Sequence, residues 1–196
     1  LGARGVAALS ELPDKYIGDS RILAAFVLPN NPAVEIIRQE AIPYVKEWNG
    51  DPSFDGYQSK DPKKVQNVAA ALFYAIRKKK ITYSEPPASF LGNIGDKDVI
   101  RQKVRFPDEI LNKKMGTCMD MTLLYASCLE AMGLHPLLVL MEQHIFAGLW
   151  LKEEQFEDTI LTDLGELIKR IDTGTDELTF VECTSMNAGK DLSFDD

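Results

Sequence analysis

The chain separates into stretches with helical spacing and shorter apolar runs of strand length. Val34, Ile37, Ala41, Val45 and Trp48 recur every three or four residues, which predicts a helix with one buried face. Pro29-Asn30-Asn31-Pro32 reads as the turn before it, Pro43 as a kink, and Asn49-Gly50-Asp51-Pro52 as its stop. Residues 51–60 are polar and read as loop. Asp61-Pro62 opens a second helix, with Asp as cap and Pro at the first helical position. Its stripe is Val65, Val68, Ala69, Leu72 and Ile76, and Arg77-Lys78-Lys79-Lys80 closes it where cations suit the helix dipole. Residues 81–104, with Pro86-Pro87 and two glycines, read as irregular. Phe106 to Leu111 predicts a helical turn, and residues 117–132 the clearest helix, with Met121, Leu124, Tyr125, Cys128 and Met132 buried and Gly133 as stop. Apolar runs at 136–141, 145–151 and 178–184 predict strands, and 163–171 a short amphipathic helix.

Helices first, a central helix, then mostly strands is an α+β order, not an alternating βαβ one. The expected organisation is an N-terminal helical segment, residues 1–80, packed on a core of residues 81–196. At 196 residues, with 45% apolar and 27% charged side chains, the chain suits one ordinary domain and excludes wholesale disorder. No window approaches twenty uncharged apolar residues, so no membrane span is expected. Leu1-Gly2-Ala3-Arg4-Gly5 lacks an initiator Met and reads as a segment cut from a longer chain.

The net charge of −8 is unevenly placed: residues 151–196 carry 13 acidic and 4 basic side chains, whereas residues 1–150 carry 17 and 18. The acidic last quarter argues against nucleic-acid binding there, and Arg77 to Lys80 lacks interleaved aromatics. Three Cys and two His suit a reducing, cytoplasmic setting and offer no zinc spacing. No cofactor or metal is expected.

Those few residues carry the chemistry. Cys118 falls at a helix start after Gly116 and the capping candidate Thr117, where the helix dipole stabilises a thiolate and free N–H groups can hold an oxyanion. Cys128 lies mid-helix on the apolar stripe and reads as core; His135, between helix and strand, reads as a loop residue. His144, at a strand start after the turn-like Glu142-Gln143, is the imidazole available to a thiol nucleophile. Glu182, an acid inside the apolar run Phe180 to Thr184, faces opposite to Val181 and Cys183 and is the candidate orienter of that imidazole.

Gly116-Thr117-Cys118-Met119-Asp120, the helix ending Ala131-Met132-Gly133-Leu134, His144-Ile145-Phe146 and Val181-Glu182-Cys183-Thr184 together resemble the transglutaminase-like superfamily of papain-like thiol enzymes over residues 81–186. Residues 24–30 and 105–111 are similar to such a domain inside large bacterial helicase-type proteins. The resemblance implies a central helix carrying the Cys packed on an antiparallel sheet. It implies Cys118 as nucleophile, His144 as base and acid, and Glu182 as orienter. Two positions depart from the family: Glu182 stands where Asp is usual, and Ile145-Phe146 where Ala-Trp is common.

The chemistry so implied is acyl transfer on a peptide or protein substrate. The thiolate attacks an amide carbonyl, a Cys118 N–H holds the oxyanion, and His144 protonates the leaving amine. Water then gives hydrolysis and an amine gives cross-linking. Gln102 is the upstream candidate for a second oxyanion donor, and Asp120 is expected to cap the helix. Two other functions remain open. One is a catalytically silent module binding a peptide or a neighbouring domain of a longer chain. The other is an accessory domain beside nucleic acid.

Overall fold

The computed structural model describes residues 22–85, 104–141, 144–161 and 177–195, the single residues Gly165, Leu167 and Arg170, and the backbone of residues 6–8, 90–94 and 97–101. The fold is mixed α+β. Among the described residues there are four α-helices: α1 (Pro32–Asn49), α2 (Pro62–Lys78), α3 (Pro107–Lys113) and α4 (Cys118–Ala131).

The local chemistry of the helix starts explains their bounds. Asn31 Oδ1 accepts the Ala33 N–H at 2.9 Å and Asp61 Oδ1 accepts the Lys63 N–H at 2.9 Å, each followed by a proline that lacks the N–H a first helical residue leaves unpaired. Gly50 ends α1 at φ 85°, a conformation that a side chain disfavours. Pro43 lies inside α1 without ending it. Three residues of the basic run that closes α2 are engaged structurally. Arg77 donates to the Leu192 and Lys190 carbonyls and pairs with Asp191, Lys78 lies over the Tyr44 ring, and Lys79 pairs with Glu40.

The main sheet has five strands in the order β8-β1-β6-β7-β9, namely β8 (Ile160–Leu161), β1 (Val6–Ala8), β6 (Pro136–Leu140), β7 (Ile145–Trp150) and β9 (Leu178–Val181). Its antiparallel part is β6-β7-β9; β1 pairs parallel with both β6 and β8, so the sheet is mixed where the resemblance implied an antiparallel one. β2 (Thr82–Tyr83) pairs parallel with β5 (Met115–Gly116), and β3 (Phe90–Ile94) with β4 (Lys97–Arg101) in a hairpin. The stretch expected to be irregular therefore holds three short strands. Of the helix expected over 163–171, residues 165, 167 and 170 are helical, and the rest lies outside the described residues.

Helix α4 is the centre of the packing. One side meets β6 and β7 of the sheet, and the other meets α1, α2 and α3. Its mean hydropathy is high all round, and eleven of its residues are buried, Asp120, Thr122 and Ser127 among them. Its buried tyrosine, threonine and serine hydroxyls each have a partner. Tyr125 Oη donates to the Ala69 carbonyl of α2 at 2.9 Å, Thr122 Oγ1 to the Ile145 carbonyl of β7 at 3.1 Å, and Ser127 Oγ accepts the Leu28 N–H at 2.9 Å. Valines, isoleucines and leucines of α1 and α2 share one core with α4, β7, Val181 and Phe194, so the helical segment and the sheet are not separate cores.

Candidate active site

Cys118 is the first residue of α4, and Thr117 is its cap. Thr117 Oγ1 accepts the Asp120 N–H at 3.2 Å, while Asp120 Oδ2 accepts the Thr117 N–H at 3.0 Å. Asp120 thus caps the helix as expected, and it does more. It is fully buried, and it takes the Arg105 N–H at 2.8 Å on Oδ1 and the Arg105 guanidinium at 2.7 Å on Oδ2. Arg105 was not picked out in the sequence, where no spacing links it to Asp120. Gly116 leaves room for this turn, because a Cβ there would lie 3.2 Å from Met121 Sδ and 3.5 Å from Asp120 Cβ.

His144 precedes β7, and Glu182 follows β9. The two strands pair with Ala147 opposite Val181 and Gly148 opposite Phe180, which brings the two side chains together at the same end of the pair. His144 Nε2 and Glu182 Oε2 are 2.6 Å apart, with the side chains 35% and 42% exposed. The imidazole stacks on Phe146 at 6.2 Å, and Phe146 meets Phe180 edge-on at 6.1 Å. Alternation along β7 sets His144, Phe146 and Gly148 on one face, against the buried Ile145, Ala147 and Leu149 on the other.

The strand expected to run through Thr184 ends at Val181 instead, and residues 183–186 form a 3-10 turn. Glu182 itself causes the change. Its Oε1 accepts both the Thr184 N–H at 2.9 Å and the Thr184 hydroxyl at 2.8 Å, which curls the chain. Thr184 was missed in the sequence, although an acid two residues before Thr is a turn-cap pattern. Burial pushes the Glu182 carboxyl up. The hydrogen bonds from His144 and Thr184 outweigh this and hold it below its ordinary value, so it stays charged.

The backbone N–H groups of Ile145, Met119 and Cys118 itself favour the charged form of the Cys118 thiol. Ile145 is held by α4, since its carbonyl accepts from the Thr122 hydroxyl. The loop carrying His144 is thereby fixed against the helix start that carries the thiol. Cys118 is 8% exposed and shares an apolar cluster with Val27, Leu123, Ala126, Leu138, Leu140 and Ile145. Val27 also lines a concavity of about 640 Å³ with Ala24, Ala25, Leu28, Pro29, Asn30 and Asn31.

Burial raises the Cys118 thiol. The three N–H groups lower it, the Glu182 charge raises it further, and the net position is above the ordinary value. The helix start alone predicts the opposite. Desolvation wins because the sulfur lies under the apolar cluster. The resting thiol is therefore neutral at pH 7. Since the thiolate is the reactive form, a raised pKa moves its reaction to higher pH. The iodoacetamide alkylation rate of Cys118 is expected to rise with a midpoint above about 8.5, the free-thiol value, read by peptide mass spectrometry. A midpoint below 7 would show that the dipole and N–H groups outweigh burial.

The remaining sequence candidates separate cleanly. Cys128 and Cys183 are fully buried, and burial raises both thiols. His135 Nδ1 lies 2.8 Å from the Glu154 carbonyl and its N–H donates to Tyr57 Oη at 3.0 Å, a loop-tethering role. Gln102 and the turn residues Glu142-Gln143 lie outside the described residues. Among the described residues, no group of three or more His, Cys, Asp or Glu side chains is placed to hold a metal ion, and no helix is long and apolar enough to cross a membrane.

The site therefore combines a carboxylate-held imidazole with a thiol at a helix start, tied to one another through Ile145. Comparison with known proteins finds no family model, no curated protein and no solved structure that matches this chain.

Proposed function

We propose that the chain is a thiol-dependent acyl-transfer domain of transglutaminase-like, papain-like type, acting on a peptide or protein amide through Cys118, His144 and Glu182. The observation that carries the reading is the 2.6 Å contact of His144 with Glu182 beside a cysteine that opens a helix. Glu182 takes Nε2, which leaves Nδ1 as the ring nitrogen for the thiol proton. His144 removes that proton as Sγ attacks the carbonyl carbon. The C=O electrons move to oxygen, and the Cys118 N–H, at the unpaired helix start, donates to it. The oxyanion then re-forms the carbonyl, the C–N bond breaks, and the imidazolium returns the proton to the leaving amine. Water or a second amine attacks the thioester, His144 again taking the proton, and frees the thiol. Because the thiol is neutral at rest, His144 works here as a general base rather than as half of a preformed ion pair.

The test is a stopped-flow burst with p-nitrophenyl acetate, which acylates the thiol and releases one p-nitrophenolate per site. Wild type is expected to give a burst at least about 100-fold faster than an equal concentration of glutathione, the lower end of the range for general base catalysis. Cys118→Ser is expected to remove it. A wild-type rate equal to glutathione would favour the second reading, a catalytically silent interaction module. What favours that reading is the 8% exposure of Cys118 together with its raised pKa.

A further inference from the structure

We propose that Thr184 is the positioning residue of the candidate acid: its hydroxyl and its N–H together hold one oxygen of Glu182, so that the other stays aimed at His144. The proposal rests on the thiol acyl-transfer reading above and adds to it a residue that acts through the acid.

The two carboxylate oxygens are divided between two partners. Glu182 Oε2 lies 2.6 Å from His144 Nε2. Glu182 Oε1 accepts the Thr184 N–H at 2.9 Å and the Thr184 hydroxyl at 2.8 Å. An ionised carboxylate only accepts, so the hydroxyl donates there. The terminal torsion of a glutamate is broad, and a single hydrogen bond to the ring leaves the carboxylate free to pivot about it. Two donors on the second oxygen remove that freedom. They matter the more because Glu182 is half-exposed, where water competes for its oxygens. The branched Cβ of threonine restricts its own χ1, which keeps the hydroxyl on the acid. Both donors also favour the charged form of Glu182, the form that keeps the ring proton on Nε2 and supports the imidazolium.

The turn that carries Thr184 does not depend on the hydroxyl. The Ser185 N–H donates to the Glu182 carbonyl at 3.0 Å, and the Asn187 N–H to the Thr184 carbonyl at 3.1 Å. Removing the hydroxyl therefore loosens the carboxylate without unwinding the turn. The backbone donor stays, so the expected effect is smaller than that of removing the acid's charge.

The experiment reads both the ring and the reaction in the full chain. Thr184→Val keeps the shape and the N–H and removes the hydroxyl; Thr184→Ser restores a hydroxyl. The chain holds two histidines, so isotope-labelled histidine lets the His144 ring nitrogens be followed by NMR. At a pH where the ring is neutral, wild type is expected to show one tautomer, with the proton on Nε2. Thr184→Val is expected to show a mixture of tautomers. Its p-nitrophenyl acetate burst is expected to be about tenfold slower, less than the roughly 10²-fold that a misplacement of about 1 Å costs. Thr184→Ser is expected to show the wild-type ring and a burst within about threefold of wild type. A Thr184→Val ring unchanged from wild type overturns the proposal, whatever the burst does. So does a mixed ring in Thr184→Ser, because the hydroxyl is then not the group that acts. A mixed ring in Thr184→Val with a burst within about twofold of wild type overturns it too, since the aim of the acid then does not govern the reaction. A wild-type burst no faster than glutathione, with the ring responding as expected, removes the acyl-transfer reading and leaves Thr184 as the residue that aims the acid.

Discussion

The Glu182→Gln protein is expected to acylate Cys118 about 10² to 10⁴-fold more slowly than wild type, with its fold unchanged. The reason is the ring nitrogen that Glu182 occupies. A carboxylate accepts only, so it fixes the proton on Nε2 and leaves Nδ1 free to take the thiol proton. It also stabilises the imidazolium that forms. An amide can present its NH2 to Nε2, which moves the ring proton to Nδ1, where an acceptor is needed. Even with the amide oxygen facing the ring, the negative charge is gone. The side chains are half-exposed, so stability should change little. The measurement is the p-nitrophenyl acetate burst rate at pH 7. A rate within about threefold of wild type would remove Glu182 from the mechanism and leave it as the cap of the 183–186 turn.

Asp120→Ala is expected to be the most destabilising single change near the site. Asp120 is fully buried and satisfies the Thr117 N–H, the Arg105 N–H and the Arg105 guanidinium with its two oxygens. Removing it leaves these donors unpaired and breaks a buried ion pair, at a cost of about 3 kcal/mol. The value is at the lower end of the buried-pair range because the Arg105 side chain is 17% exposed and can turn to water. For a chain of this size the midpoint of thermal unfolding should fall by about 6–12 °C. Asp120→Asn keeps one acceptor for the cap and should lose about half as much. Circular dichroism melts measure both. A fall below about 2 °C for the alanine variant would show that the helix start does not depend on this carboxylate.

The sequence made the helices and the central strands legible because apolar periodicity, capping residues and stop glycines agreed with one another at α1, α2 and α4. The elements it hid were those whose signals are weak or local. β2 and β5 are two residues each, too short for alternation to register. β3 and β4 fall in a stretch where Pro86-Pro87 and two glycines read as irregular. The parallel strand β1 takes its identity from β6 and β8, partners more than a hundred residues away. The candidate site divides in the same manner. Cys118 could be singled out by its place at a helix start, Glu182 as an acid in an apolar run, and His144 as one of two histidines. Arg105 and Thr184 could not, since an arginine and a threonine are ordinary until the fold brings them to the cap and the acid. The direction of the Cys118 shift was also hidden, because it turns on how much apolar surface covers the sulfur.

The C-terminal strap has a mechanical consequence. After the turn that Glu182 begins, the chain runs back across α2: Asn187 holds the Ile81 carbonyl, Arg77 grips the Lys190 and Leu192 carbonyls, and Phe194 packs edge-on against Phe73. Glu182 is therefore moored on both sides, by the β9 ladder upstream and by the N-terminal helices downstream. The position of the acid is thus set by α2 as well as by the sheet.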